Sequence, residues 1–111
     1  MELSTKEFKH CNLISIGGRV DSATAPQFSQ YMDDLIEKGV YKFVIDMDKL
    51  EYMSSAGFRA LLAAQRNCKR YNRGEVVLAA VPERIREALE LAGFTELFKT
   101  YKEPLEAVGS L

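Results

Sequence analysis

Two adjacent serines, Ser54 and Ser55, are the residues of this 111-residue chain whose type and setting could support chemistry. They lie in the stretch EYMSSAGFRALLAA, between an apolar run and a segment of helical spacing, with Gly57 two positions after the second serine. A serine hydroxyl can act as a nucleophile or receive a transferred group, and it can equally cap the N-terminus of a helix. On residue type and spacing alone, the capping interpretation is favoured.

The remaining candidates for chemistry are weaker. His10 is the only histidine and falls in a predicted turn, so a Ser/His/Asp triad is not indicated. Gly17 and Gly18 match neither nucleotide-binding glycine motif and predict a tight bend between a strand and a helix. Asp46 and Asp48 follow a predicted strand, where solvation or capping is the commoner role than metal binding. We therefore expect no catalytic residue, no metal site and no cofactor.

The composition limits the class of partner. Lysine and arginine number 15 against 16 acidic residues, for a formal net charge of -1, so the sequence predicts no field suited to nucleic acid or an anionic membrane. The two cysteines, Cys11 and Cys68, are far apart and predict neither a disulfide nor a metal cluster. No signal peptide or membrane-spanning run is evident, and we expect a single cytoplasmic domain over residues 1–111.

Hydrophobic spacing predicts alternating strands and helices around the serine pair. Two extended segments joined by KHCN predict a hairpin, and a helix follows, with Asp21, Ser22 or Thr24 as its N-cap and Gly39 as its stop. The later elements are a central strand YKFVIDM, a helix from about Ser55 to Tyr71 ended by RYNRG, a strand EVVLAAV, a helix PERIREALELAG and a strand-like ELFKTY.

This order, ββαβαβαβ with a final helical turn in EPLEAVGSL, predicts an α/β fold. Strands that alternate with helices pair in parallel through right-handed crossovers, whereas the first hairpin is antiparallel. We therefore expect a mixed central β-sheet with about four α-helices packed on it. The serine pair should lie where a central strand ends and the second long helix begins.

The segment VIDMDKLEYMSSAGFRALLAA resembles the signature of STAS domains in the bacterial anti-sigma factor antagonist family, where a loop of the type Asp-Ser-Ser-Gly or Asp-Ser-Ala-Gly enters a helix. ISIGGRVDSATAPQF is similar to the segment before that family's first helix, and LAGFTELFKTYKEPLEAV is similar to its C-terminal pattern. The resemblance covers nearly the whole chain and implies a single STAS domain.

In that family the serine two positions before the glycine is phosphorylated, and the resemblance places this acceptor at Ser55, with Ala56 and Gly57 completing the loop. The usual aspartate before the acceptor is replaced by Ser54, which is a second candidate acceptor. The family's aspartate after the second strand falls on Asp21, either as a partner contact or as an N-cap, and Arg19 replaces its usual glutamate.

The resemblance implies a non-enzymatic, partner-switching regulator of transcription. Its unphosphorylated form would bind an anti-sigma factor that is also a serine kinase and release a sigma factor, and phosphorylation at Ser55 would abolish binding. A serine phosphatase is a further expected partner. The expected contact surface comprises Asp21, Met53, Ser54, Ser55, Ala56, Gly57, Phe58 and Arg59.

Two alternatives remain open from the sequence. The loss of the loop aspartate is also typical of a STAS domain that is never phosphorylated and acts as a constitutive interaction or sensory scaffold. The second alternative is that the domain binds or hydrolyses a nucleotide, since the resemblance includes STAS domains that bind nucleotides, but the chain has no phosphate-binding loop.

Overall fold

The protein is described by a computed structural model that covers residues 1–111. It opens with a hairpin of β1 (Glu2–Glu7) and β2 (Asn12–Val20), which pair antiparallel from Glu2 opposite Gly17 to Glu7 opposite Asn12. His10 is exposed in the turn between them. The predicted hairpin is confirmed.

The first crossover runs from β2 through α1 (Ala25–Glu37) to β3 (Lys42–Asp46), which pairs parallel with β2. Helix α1 has a proline in its first turn, where the missing N–H costs no helical hydrogen bond. Its chain leaves through Gly39 at φ +94, a left-handed conformation that glycine adopts without strain. The predicted stop at Gly39 is confirmed.

The glycine pair does not form the predicted bend between a strand and a helix. Gly17 and Gly18 lie inside β2, where Gly18 has φ +77 and the pairing register shifts between Gly18 and Arg19. Such a bulge turns the strand without ending it. Beyond the bulge, β2 pairs parallel with β4 (Leu50–Met53), a short strand that the sequence pattern did not predict.

The second half of the chain repeats the helix-strand alternation. Helix α2 (Ser55–Lys69) leads through a 3₁₀ turn (Arg70–Asn72) into β5 (Glu75–Ala79), which pairs parallel with β3. Helix α3 is Glu83–Leu91, a 3₁₀ turn is Thr95–Leu97, strand β6 is Thr100–Tyr101 and α4 is Pro104–Ser110.

Two sequence expectations in this half need correction. Only the last two residues of ELFKTY form a strand, because Thr95–Leu97 coil into a 3₁₀ turn. The chain also reverses after α2 at Tyr71 and Asn72, which have φ values of 59 and 56, and not at Gly74. A side chain at Gly74 would place its Cβ 2.1 Å from the carbonyl oxygen of Tyr41, so close packing is what requires that glycine.

The sheet order is β1-β2-β3-β5-β6, with β4 paired to the far end of β2. One face carries the larger apolar core, which includes residues from α1, α2 and α3. The other face carries a smaller cluster in which Ala107 of α4 packs with Val44, Val77 and Ala79. The expected mixed α/β sheet with four helices is confirmed. No helix is both long enough and apolar enough to cross a membrane.

Both cysteines are buried and unpaired in these two clusters. Burial raises the pKa of the Cys11 thiol, and it raises the pKa of the Cys68 thiol to about 12. The two thiols lie in different clusters on opposite faces of the sheet.

Gln65 of α2 is a buried polar residue that joins the helix to the sheet. Its side-chain oxygen accepts a hydrogen bond from Val76 N–H at 2.7 Å, and its Nε2 donates to the carbonyl oxygens of Val76 at 3.0 Å and Leu97 at 2.7 Å. Strand β6 pairs with β5 only at Leu78 and Ala79. The amide of Gln65 therefore satisfies the part of β5 that no neighbouring strand reaches.

Candidate functional site

The serine loop lies where two parallel strands, β2 and β4, end side by side. Val20 is opposite Met53 in this pair, and the N–H of Ser54 donates to the carbonyl oxygen of Val20 at 2.8 Å. The loop is thus bonded to a strand that runs through the middle of the sheet. Carboxyl ends of parallel strands are the usual place for functional loops in α/β folds.

Ser54 is the N-cap of α2. Its backbone is extended, with φ -78 and ψ 173, and its Oγ accepts a hydrogen bond from the Gly57 N–H at 3.4 Å. Its carbonyl oxygen accepts the first helical hydrogen bond, from Phe58 N–H at 3.0 Å. Ser54 is half-buried, and its hydroxyl is occupied by this cap.

Ser55 is the first residue of α2, and its side chain is exposed with no protein hydrogen-bond partner. The N–H groups of Ser55 and Ala56 belong to the first helical turn, which has no preceding carbonyl to bond them. These N–H groups and the positive end of the helix dipole favour negative charge near the Ser55 hydroxyl. The two serines are therefore chemically distinct, one bonded in a cap and the other free.

Close packing beneath the first turn of α2 is what requires a glycine at position 57. A Cβ at this position would lie 2.5 Å from Cγ of Met53 and 3.0 Å from Cγ1 of Val20, both closer than ordinary contact. The first turn of α2 consequently rests directly on the ends of β2 and β4. This close approach fixes the height of the serine loop above the sheet.

Met53 and Phe58 form an apolar floor beneath the loop. Met53 is 4% exposed and Phe58 is 7% exposed, so neither side chain is on the surface. The Phe58 ring packs edge-to-face on Phe94, with centroids 6.2 Å apart and planes at 80°. Of the predicted contact residues, Met53, Gly57 and Phe58 thus support the loop from below, whereas Ser55 and Arg59 are exposed.

Asp21 follows β2 and organises the turn that enters α1. Its Oδ1 accepts hydrogen bonds from the N–H groups of Ala23 and Thr24, each at 3.0 Å, and its own N–H donates to Thr24 Oγ1 at 2.9 Å. The hydrogen bonds from Thr24 hold the pKa of the Asp21 carboxyl below its usual range. The helix itself begins at Ala25 with Thr24 at the N-cap, so Asp21 caps the preceding turn.

A shallow groove of about 500 Å³, which the sequence did not predict, runs between α1 and α2 beside the loop. Its floor is made of small side chains, which recur at helical spacing in both helices. The groove is lined by Ser22, Ala25, Pro26, Ser29, Gln30, Asp33, Ala56, Arg59, Ala60 and Ala63. Small residues at positions 56, 60 and 63 were the available signal for it.

The other residues with a predicted or doubtful role are accounted for structurally. Asp46 ends β3, and its Oδ1 accepts a hydrogen bond from the Asp48 N–H at 3.0 Å, so it caps the following turn. No cluster of three or more His, Cys, Asp or Glu side chains with metal-binding geometry occurs. Arg19 lies opposite Tyr52 in the β2–β4 pair, with its guanidinium 4.5 Å from the ring centre.

The fold is a mixed α/β sheet with a serine loop at the start of α2, and the model of the STAS domain family matches residues 2–107. The chain therefore belongs to the STAS domain family. It is 31% identical over 98 residues to the putative anti-sigma factor antagonist BtrV of Bordetella bronchiseptica, covering 88% of this chain and 84% of that protein.

Two solved structures show the same fold. An anti-sigma factor antagonist from Mycobacterium paratuberculosis is similar with a TM-score of 0.87 at 21% identity, covering 98% of this chain and 92% of that chain. The Bacillus cell fate determinant SpoIIAA in its phosphorylated form is similar with a TM-score of 0.76 at 17% identity, covering 98% of each chain. The expected STAS fold is confirmed.

Proposed function

We propose that this protein is an anti-sigma factor antagonist that works by partner switching, with Ser55 as the phosphorylated residue. The observation that carries the proposal is the free, exposed hydroxyl of Ser55 at the start of a helix that is fixed to the sheet. The name of the Bordetella relative supports the antagonist role, and the phosphorylated state of the Bacillus structure supports phosphorylation as a modification of this fold. The protein supplies the acceptor, and the catalytic groups, ATP and Mg²⁺ belong to the partner kinase.

The contact surface would be the exposed part of the loop together with the α1–α2 groove. Ala56 lines the groove and is adjacent to Ser55, so a partner seated on the small side chains of both helices would also cover the hydroxyl. Asp21 and Arg59 would contribute charged contacts at its margin. Met53, Gly57 and Phe58 would act by holding the loop in position.

Phosphorylation would act through charge and leave the fold intact. A phosphate adds about -1.5 to -2 charge at neutral pH, and the start of a helix tolerates it. Arg59 is one helical turn beyond Ser55, on the same side of the helix, and suits the phosphate in the free protein. A partner that buries a neutral hydroxyl would instead have to bury an anion. A penalty of about 3 kcal/mol would weaken binding more than a hundredfold.

The proposal assigns Ser55 in preference to Ser54 for two reasons. The Ser54 hydroxyl accepts the capping hydrogen bond from Gly57 and is half-buried, whereas the Ser55 hydroxyl is free and exposed. Ser54 would take the place of the family's aspartate as the cap. It remains the second candidate acceptor.

Affinity capture tests the switch. Wild type and Ser55→Asp are used as baits in the same cell extract, with Ser110→Asp as the matched control because Ser110 is an exposed serine on α4. We expect an anti-sigma factor with a kinase domain to bind wild type and Ser110→Asp and to be lost from Ser55→Asp. Equal recovery on all three baits would contradict the switch.

Phosphate incorporation tests the acceptor. The captured kinase is incubated with ATP and each of wild type, Ser55→Ala and Ser54→Ala, and intact mass is measured. We expect one phosphate on wild type and on Ser54→Ala and none on Ser55→Ala. Phosphate that persists on Ser55→Ala would move the acceptor to another residue.

The neutral Ser54 in place of an acidic side chain favours a second candidate function, a constitutive scaffold that is never phosphorylated. In that case the chain isolated from cells would have its unmodified mass under every growth condition, and its partners would bind Ser55→Asp and wild type equally.

A further inference from the structure

Strand β1 is an open edge of the sheet. It pairs with β2 on one side, no strand lies on its other side, and five of its six residues are exposed. An open edge presents backbone N–H and C=O groups that a further strand can bond. At the opposite edge the last strand, β6, has only two residues, and Gln65 bonds the part of β5 that β6 does not reach.

The hairpin geometry determines which residues of β1 bond outward. Phe8 N–H donates to the carbonyl oxygen of Cys11 at 2.8 Å, and the register between β1 and β2 is unbroken from there to Glu2. In an antiparallel pair, every second residue bonds to the partner strand. Since Phe8 bonds to the β2 side, Lys6 and Ser4 also direct their backbone N–H and C=O groups toward β2. Leu3, Thr5 and Glu7 therefore direct their N–H and C=O groups outward.

This alternation restricts how a second copy of β1 can pair with the first. In such a pair, each outward-bonding residue of one copy must lie opposite an outward-bonding residue of the other. The two-fold axis of the antiparallel pair therefore passes through a residue and not between two residues. Registers centred on Ser4 or on Thr5 pair most of the strand. A centre between Ser4 and Thr5 would place Leu3 opposite Lys6 and is excluded.

The charged residues of β1 favour one of the two remaining registers over the other. Centring on Ser4 places Glu2 opposite Lys6 twice, and Leu3 opposite Thr5 twice. Centring on Thr5 instead places Leu3 opposite Glu7. Opposite charges directly across an antiparallel pair are stabilising, whereas an apolar side chain gains little from a carboxylate. The charges of β1 are thus complementary to β1 itself in one register.

We propose that β1 is a homodimerisation edge, on which two copies of this chain pair antiparallel about Ser4 and form one continuous sheet. Glu2, Ser4 and Lys6 lie on one face of this sheet by alternation. Thr5 lies on the other, where its hydroxyl is hydrogen-bonded to the hydroxyl of Tyr31 in α1. The dimer does not use the serine loop, and the proposal is independent of the assignment of Ser55.

Sedimentation velocity of the full chain over a concentration series, at low salt, tests the charge pairs. We expect a monomer–dimer equilibrium for wild type, and weaker dimerisation for Lys6→Glu by about tenfold, because two attractive pairs become repulsive. The exchange Glu2→Lys with Lys6→Glu restores both pairs and should restore wild-type dimerisation. Lys9→Glu, in the turn outside the register, is the control and should dimerise as wild type.

A second variant tests the backbone without changing charge. Thr5→Pro removes an outward N–H while leaving the bonds to β2, and proline is tolerated on an edge strand. We expect a folded monomer, with wild-type circular dichroism and no dimer at any concentration of the series. A wild-type chain that is monomeric throughout, or a dimer that Lys6→Glu and Thr5→Pro leave unchanged, would overturn the proposal.

Discussion

Two of the polar side chains of helix α2, Gln65 and Ser55, have opposite surroundings. Gln65 is 3% exposed, and both polar atoms of its amide are hydrogen-bonded to the backbone of β5 and of the turn after α3. Ser55 is exposed, and its hydroxyl has no protein partner. One side chain is committed to the fold, and the other is available to another molecule.

Gln65 and Ser55 therefore differ in what they contribute: Gln65 stabilises the fold, whereas Ser55 is available for the proposed modification. A buried polar group that loses its hydrogen bonds costs free energy of unfolding, because water cannot replace them. An exposed hydroxyl on the first helical turn exchanges freely with water, so the fold does not depend on it. Substitutions along α2 should therefore fall in a definite order of effect on the free energy of unfolding.

The largest effect is expected for Gln65→Leu. It leaves the buried N–H and C=O of Val76 without partners and removes a hydrogen bond to the partly exposed C=O of Leu97, so we expect a loss of about 3 kcal/mol. Urea denaturation followed by circular dichroism measures this. Gln27→Leu, at an exposed position of α1, is the matched control and should change stability by no more than about 0.5 kcal/mol. Equal effects of the two variants would contradict the role of Gln65.

Gly57→Ala should have the next largest effect. The added methyl group would overlap Met53 and Val20, and overpacking of this kind costs about 1–3 kcal/mol. Gly109→Ala, in α4 with no atom within 4 Å of the new methyl group, should be neutral or slightly stabilising under the same denaturation assay. A neutral Gly57→Ala would show that α2 does not rest on the strand ends.

Ser54→Ala removes the N-cap and should cost about 1 kcal/mol. Ser54→Asp restores an acceptor and adds a charge that suits the helix dipole, so it should be at least as stable as wild type. Thermal and urea denaturation of the three proteins compare them. If alanine and aspartate behaved alike at this position, the cap would have no energetic role.

Ser55→Ala should have the smallest effect on the fold, within about 0.5 kcal/mol of wild type by urea denaturation. The same variant is expected to abolish phosphorylation, so it should lose the modification while it keeps a normal free energy of unfolding. A stability loss as large as that of Ser54→Ala would instead mean that the two hydroxyls share the capping role.

The sequence predicted the elements with strong periodicity and missed those that depend on distant contacts. Helices α1, α2 and α3 and the hairpin followed from spacing, caps and glycines. Strand β4 was missed because its pairing depends on a bulge at Gly18, which no local pattern specifies. The strand predicted from ELFKTY included Glu96 and Leu97, but these residues lie in the 3₁₀ turn, because tertiary contacts such as the Gln65 bond to Leu97 override their local pattern.

The same limit applies to the candidate site. Residue type and spacing located the serine loop at the start of α2 and suggested its cap. They could not show that Ser54 alone supplies the cap, or that Gly57 is present for packing, because both facts depend on where Val20 and Met53 lie. The burial of Phe58 against Phe94 likewise joins residues far apart in the sequence.

The burial of both cysteines has a practical consequence for testing the proposed switch. Alkylating reagents attack the thiolate, and Cys11 and Cys68 are inaccessible and have raised pKa values. A cysteine introduced at the exposed end of α2 would consequently be the single reactive thiol of the folded protein. A fluorophore attached there would report partner docking and release in real time, without mutation of either native cysteine.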